Sequence, residues 1–324
     1  MAFWSYGNIA LKKIDWKLPG VILLLAVVFG AGGFVSLQVY KRVQEIKKER
    51  ILLAKRESAW IDLQHLLQQE VSTFKGESGV VIKDLKMGWE WTYNPERLFP
   101  SASVVKVPMM VACFQSIQEG RIQLDTQLKL KASDRVAGSG MLKTMPVGSS
   151  FNIQELLQQM ITSSDNTAAN MLINLLGMDY LNLYFKKTGL SSTNLSRKMM
   201  DFSARKKGFE NYTTAGDMAL LLGKIYRKEL LSPELSMECL QLMKQQRIRD
   251  RIPARIPKDT VVAHKTGLER FVCHDVGIVF TENGDYLICV LTQRKKQGPS
   301  KPAKVFISKV ALDVYQYVKG GLHY

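Results

Sequence analysis

Only four of the 324 residues are cysteine and four are histidine. Cys113, Cys239, Cys273 and Cys289 lie far apart with no C-x-x-C spacing, so no zinc-ligand set is offered. A chain of this length buries enough apolar surface to fold without a disulfide or structural metal. Cys273 and Cys289 stand in apolar runs, as small buried side chains do. Acidic residues are also scarce. The 29 Asp and Glu against 45 Lys and Arg give a formal net charge of +16. A field of that sign favours anionic partners. Nucleic acid belongs to that class, but no helix-turn-helix, finger or RNP signature occurs, and no nucleic-acid partner is expected. Internal repeats and low-complexity segments are missing as well.

Charge is absent from residues 18–40, LPGVILLLAVVFGAGGFVSLQVY. As a helix, this stretch is about 34 Å long, enough to cross a ~30 Å hydrocarbon core. The expectation is an N-terminal transmembrane helix at 18–40 behind a short tail, 1–17, with the lipid bilayer as a partner. The alternative is a signal peptide cleaved near Gly30-Ala31-Gly32-Gly33, giving a secreted protein. Seven Lys and Arg in 41–56 against three before the span favour a cytoplasmic C-terminal side. Glycine and proline are absent from 41–73, which reads as helix. Residues 41–57 are taken as a juxtamembrane helix and 58–324 as one folded domain.

Within that domain, GVVIKDLKMG and WEWTYNP alternate like a hairpin. Residues 104–230 carry helical apolar spacing in VPMMVACFQSI, IQELLQQMI, AANMLINLL and AGDMALLLGKIY. Strand patterns return at TVVAHKTG, HDVGIVF and DYLICVLT, and 302–318 closes as an amphipathic helix. Strands, helices, strands and a helix imply one antiparallel sheet assembled from both chain ends, with a helical block inserted.

Three short motifs carry chemistry. In Ser103-Val104-Val105-Lys106, residues three apart share a helix face, so the hydroxyl and the amine can meet. An alcohol becomes a nucleophile when a neighbour takes its proton, and a lysine can do so once burial or nearby cations lower its pKa. In Ser164-Asp165-Asn166, a second hydroxyl can relay a proton and an asparagine can hold a substrate amide. The same three residue types are also helix N-caps. In Lys265-Thr266-Gly267, a cation and a hydroxyl on a strand suit a substrate carboxylate, and glycine admits close approach. A strand ending in a turn reads the same way. No motif implies a metal or organic cofactor.

S-x-x-K, S-D-N and K-T-G, in this order and in these elements, resemble the class A β-lactamase-like serine hydrolases. The likeness runs over roughly residues 58–320 and includes FPSASVVKVPMM, GSGML, MITSSDNTAANMLI, RIPARIP and VAHKTG. It implies an α/β (α+β) fold, a five-stranded antiparallel sheet beside a helical domain, with the site between them. It implies Ser103 as nucleophile, Lys106 as its proton partner and Ser164 as proton shuttle. Asn166 would bind substrate, and Lys265, Thr266 and Gly267 would receive its carboxylate end. The backbone N–H groups of Ser103 and Leu268 would form the oxyanion hole. Substrates would be β-lactams or peptidoglycan stem peptides. That chemistry places the domain outside the bacterial cytoplasmic membrane, held by a single pass, against the charge rule.

One stretch departs from the family. Class A β-lactamases carry an E-x-x-L-N loop whose glutamate activates the deacylating water. Aligned on Arg197, that position here is Met199, and the asparagine is Ser203. Asp201 is the nearest carboxylate. Slow deacylation is therefore expected. The alternatives are a penicillin-binding D-alanyl-D-alanine peptidase or transpeptidase, or a non-turnover receptor for β-lactams or wall fragments. His264, His274 and the basic clusters at 205–207 and 294–296 read as ordinary strand and surface residues.

Overall fold

The computed structural model describes residues 32–295 and 298–320. The chain divides into two compact units, Met1–Ser58 and Ala59–Tyr324. The elements in order are α1 (Gly32–Thr73), β1 (Glu77–Asp84), β2 (Glu90–Tyr93), β3 (Phe99–Pro100), a 3₁₀ turn (Ala102–Val105) and α2 (Lys106–Gln118). There follow β4 (Gln127–Lys129), β5 (Ser150–Asn152), α3 (Ile153–Thr162), α4 (Asn166–Leu176), α5 (Met178–Lys187), α6 (Phe202–Lys206), β6 (Tyr212–Thr213), α7 (Ala215–Tyr226) and α8 (Pro233–Lys244). The chain closes with β7 (Val261–Leu268), β8 (Val272–Phe280), β9 (Tyr286–Gln293) and α9 (Lys301–Lys319).

The five-stranded sheet has the order β2-β1-β9-β8-β7, and every neighbouring pair is antiparallel. The expected sheet from both chain ends is present, with β7 on an edge. Strand alternation divides two cores. Leu287, Cys289 and Leu291 of β9 face the helical block, while Tyr286, Ile288 and Val290 face α1 and α9. On the second side, α1 buries Trp60, Leu63, Leu67 and Val71 at helical spacing beside Val310 and Val314 of α9. Burying each such aliphatic side chain stabilises the fold by about 1.5–3 kcal/mol. All four cysteines are buried and free.

The inserted helices begin where short polar side chains cap them. Asn152 accepts from the Glu155 N–H at 2.8 Å, and Glu155 accepts from the Asn152 N–H at 2.8 Å, a reciprocal box that starts α3. Thr214 starts α7 and Ser232 starts α8 in the simpler way.

The N-terminal expectation is corrected. Among the described residues no helix is long and apolar enough to cross a membrane. Residues 18–31 of the expected span lie outside the described residues. Residues 32–40 rise only about 13 Å against a ~30 Å hydrocarbon core, and α1 then continues through Lys41 and Arg42 without a break. The transmembrane helix, the bilayer as partner of 18–40 and the single-pass membrane location are not supported. The expected junction at residue 40 is no element boundary, because one helix runs from Gly32 to Thr73.

Asp313 on α9 makes the domain pH-sensitive. Burial, and then the Glu70 carboxylate on α1, raise its carboxyl from 3.8 to about 6. A folded pKa above the unfolded one gives stability that is complete at low pH and is lost as pH rises through the folded value. A gap of this size is worth at most about 3 kcal/mol, and partial exposure reduces it. Asp313→Asn is therefore expected to stabilise the domain by ~1–2 kcal/mol near pH 7.5 and hardly at all near pH 4. Urea unfolding at the two pH values measures the difference.

Candidate active site

Ser103 stands in the 3₁₀ turn Ala102–Val105, and Lys106 opens α2 directly behind it. Residues i and i+3 eclipse in a 3₁₀ turn, so serine and lysine share one face. Ala102 has φ +44°, a left-handed conformation that costs a non-glycine residue about 1 kcal/mol or more. The surroundings hold it there. The Ser101 N–H donates to Asn211 O at 2.7 Å, and His274 Nε2 donates to Pro100 O at 2.8 Å. His274 Nδ1 accepts the Thr292 N–H at 3.1 Å, which fixes the neutral tautomer. Burial lowers the His274 pKa to about 4 and keeps it neutral. Gly267 lets β7 close on this turn. A Cβ there would lie 3.2 Å from Val104 Cγ1 and His274 Cδ2, and 3.3 Å from Ala102 Cβ.

Two lysines meet at one hydroxyl. Lys106 Nζ donates to Ser164 O at 2.7 Å, to Asn166 Oδ1 at 2.7 Å and to Ser164 Oγ at 3.3 Å. Lys265 Nζ donates to Ser164 Oγ at 3.0 Å and to Thr266 O at 3.0 Å. Ser103 Oγ is not among these partners. Both lysines are completely buried. Burial lowers the Lys106 pKa to about 7, against the raising influence of Asp165. Burial, then the charge of Lys106, hold Lys265 well below the ordinary lysine value. Asp165 itself caps α4, accepting from the Ala168 N–H at 2.9 Å and from the Leu142 N–H at 2.9 Å. The S-D-N tripeptide thus does both things its residue types suggest: the aspartate caps, and its neighbours face the lysines.

The sheet register orients the edge. The Glu269 N–H donates to Val272 O at 3.1 Å across a two-residue turn formed by Arg270 and Phe271. Bonded and non-bonded pairs alternate along an antiparallel ladder. Leu268, opposite Cys273, is therefore a non-bonded position whose N–H points outward from the edge strand. The Ser103 N–H, near the start of its 3₁₀ turn, has no partner within that turn by helix geometry. The same alternation sets Lys265 and Gly267 toward the helical block and Thr266 toward His264 and Asp275. A cavity of about 620 Å³ opens over Ser103 and takes in Asn166, Met199 and Leu268. Lys106, Ser164, Lys265, Thr266 and Gly267 lie outside its lining.

A sequence model described as the beta-lactamase enzyme family matches residues 62–318. The chain belongs to that family. It is a serine hydrolase of the class A β-lactamase-like kind. Among curated relatives, beta-lactamase VEB-1 of Pseudomonas aeruginosa is 24% identical over 241 residues, covering 69% of this chain and 79% of that one. The structure of PBP-A superposes with a TM-score of 0.74 at 31% identity, over 80% of this chain and 96% of that one. A leucine-to-glutamate variant of PBP-A, solved as an acyl-enzyme complex with penicillin G, matches equally, over 80% and 97%. The beta-lactamase of Sphaerobacter thermophilus gives a TM-score of 0.74 at 28% identity, over 80% and 98%.

Against that family frame, the 197–206 stretch is well built. Asn170 grips the Met199 backbone from both sides, donating to its carbonyl at 3.2 Å and accepting its N–H at 2.9 Å. Asp201 accepts the Ala204 N–H at 2.9 Å and caps α6, and it does not line the cavity. Among the described lining residues, Glu269 is the one carboxylate. Its oxygens take Arg197 at 3.3 Å and Arg205 at 2.9 Å. Both arginines also pair with the buried Glu210, at 2.7 and 2.8 Å. This four-residue cluster ties the loop to the β7–β8 turn.

Sequence reasoning read Arg205 as surface and passed over Glu210 and Glu269. It also took His264 for an ordinary strand residue. His264 Nδ1 instead lies 2.9 Å from Asp275 Oδ1, and Asp275 Oδ2 accepts the Ile252 N–H at 3.0 Å. Arg251 completes this buried group through Cys273 Sγ at 3.1 Å. The opposition of Thr266 to Asp275 in the ladder puts His264 on the aspartate's face, a signal available only once the register is known. Arg197→Ala is expected to cost about 2–4 kcal/mol, because it leaves buried Glu210 half-paired. Lys206→Gln, on the same loop but exposed, should stay within ~0.5 kcal/mol. Urea unfolding of the two variants makes the comparison.

Proposed function

We propose that Ser103 attacks β-lactams or D-alanyl wall peptides to form an acyl-enzyme that is hydrolysed slowly. The observation that carries this reading is the Ser164 hydroxyl shared by Lys106 and Lys265. With a pKa near 7, Lys106 is substantially neutral at physiological pH. Its two N–H groups then serve Ser164 O and Asn166 Oδ1, and its lone pair is open to a proton. Lys106 takes the Ser103 proton as the oxygen attacks the amide carbonyl. The oxyanion is received by the Ser103 and Leu268 N–H groups. The proton passes from Lys106 through Ser164 Oγ to the leaving nitrogen as the C–N bond breaks. Lys265 holds the substrate carboxylate without the expected help of the Thr266 hydroxyl, because the register turns that side chain toward Asp275. That carboxylate supplies the negative charge that makes a protonated Lys265 favourable in a buried site. Asn166 binds the substrate amide.

Hydrolysis of the ester needs a base aimed at water. Methionine accepts no proton, Asp201 is engaged at a helix cap, and Glu269 is held by two arginines. These features favour a second reading beside the first, a penicillin-binding transpeptidase that passes its acyl group to an amine, or a peptidase that releases it slowly to water. The likeness to PBP-A, one variant of which was solved as an acyl-enzyme with penicillin G, supports it.

A labelled penicillin should mark the wild type and leave Ser103→Ala unmarked. Lys106→Ala should slow labelling by about 10²–10⁴-fold, the scale of lost acid–base help. Turnover should show a burst of one product per enzyme followed by a slow phase. Met199→Glu should quicken that slow phase, and Asp201→Asn should leave it alone. Fast turnover without a burst, stopped by Asp201→Asn, would make Asp201 the base.

A further inference from the structure

We infer that the cleft selects substrates carrying a second anionic group, apart from the carboxylate assigned to Lys265. The inference rests on the reading of Ser103 as the acylated residue. Its basis is the charge of the wall. Arg197, Arg205, Lys206 and Arg270 line the cavity over Ser103, and Glu269 is the one carboxylate among the described lining residues. Glu210, behind the wall, pairs with both Arg197 and Arg205. With Glu210 included, these groups carry four positive charges and two negative ones, so the wall is net positive. The cationic side chains come from separate segments: Arg197 from the loop before α6, Arg205 and Lys206 from α6, and Arg270 from the β7–β8 turn. Lys143 adds to them, donating an ammonium N–H to the carbonyl of Gly138, which also lines the cavity.

Position matters as much as count. The Arg197–Glu210–Arg205–Glu269 cluster fixes the loop and the turn against each other. The Arg270 guanidinium lies 5.2 Å from the centre of the Phe271 ring at the tip of that turn. The positive charge is thus mounted on braced elements beside the reacting serine. Clefts with walls of one sign concentrate ligands of the other sign, and the effect weakens with salt. The +16 charge of the whole chain works in the same direction, so a local subsite has to be separated from the bulk field.

Benzylpenicillin and its α-carboxy derivative, carbenicillin, differ by one carboxylate and provide the probe. The readout is the ratio of their second-order acylation rates at Ser103, carbenicillin over benzylpenicillin. Lys206→Gln with Arg270→Gln should lower that ratio about five- to tenfold, the scale of two partly screened contacts. Lys186→Gln with Lys187→Gln removes the same charge from exposed positions on α5, outside the cavity lining, and should leave the ratio unchanged. Raising salt should lower the wild-type ratio toward that of the first double variant. A ratio equal in all three proteins, or lowered equally by both double variants, overturns the subsite and leaves Ser103 acylation standing. Failure of both penicillins to acylate Ser103 overturns the acylation reading and this inference with it.

Discussion

Two buried lysine side chains converge on one serine hydroxyl, and the site is built around that meeting. Burying a cation without a touching carboxylate is costly, and the cost falls when the group gives up its proton. Lys106 and Lys265 share Ser164 Oγ, and Asp165, the nearby anion, spends its oxygens on the N–H groups of Ala168 and Leu142. Two strained positions of the site lie at this junction. Ser164 has φ +59° and Ala102 has φ +44°, both in the left-handed region. Strain of this kind persists when the surroundings over-determine it. Here the surroundings are the α4 cap, the His274 bridge to Pro100 and the close seat of Gly267 on the 3₁₀ turn.

What could be read in the sequence was local, and what could not was set by the partners of distant segments. S-x-x-K implied a shared face for Ser103 and Lys106, because residues three apart along a helical turn lie one above the other. Its turn is 3₁₀ instead of α, which brings the two residues still closer to eclipse. The bonds of Lys106 to Ser164 and Asn166, by contrast, depend on a distant segment. The alternation of GVVIKD and of the C-terminal strands gave the antiparallel sheet, because period two is a property of one strand. Glu210 and Glu269 are separated by 59 positions and meet only through Arg197 and Arg205. His264 and Asp275 meet because of a ladder register that composition does not reveal. The outward N–H of Leu268 likewise depends on which pairs of the β7–β8 ladder are bonded. The uncharged run at 18–40 misled in another way. Its far end is the opening of a long helix whose later turns are charged, so the limit of the apolar run was not the limit of an element.

The loop that carries Met199 shows that architecture and chemistry separate. Asn170 holds the Met199 backbone, Asp201 caps α6, and paired arginines and glutamates lock the loop to the sheet edge. The parts that place a residue at this point are all present, and the residue they place is an apolar thioether. In the proposed mechanism, acylation depends on the lysine–serine junction and on two backbone N–H groups, none of which lies on this loop. Hydrolysis of the ester depends on it. On the proposed reading, a family framework keeps the first half of a hydrolytic cycle while one side chain slows the second.

All of this requires Lys106 to be a base near neutral pH. Carbon-13 NMR of the Lys106 Cε, in protein with labelled lysine and with the signal assigned by its loss in Lys106→Arg, reads that proton directly. The account requires a titration midpoint at about 7, set by burial. A midpoint near the ordinary 10.5 would contradict it and leave Ser103 without its proton acceptor.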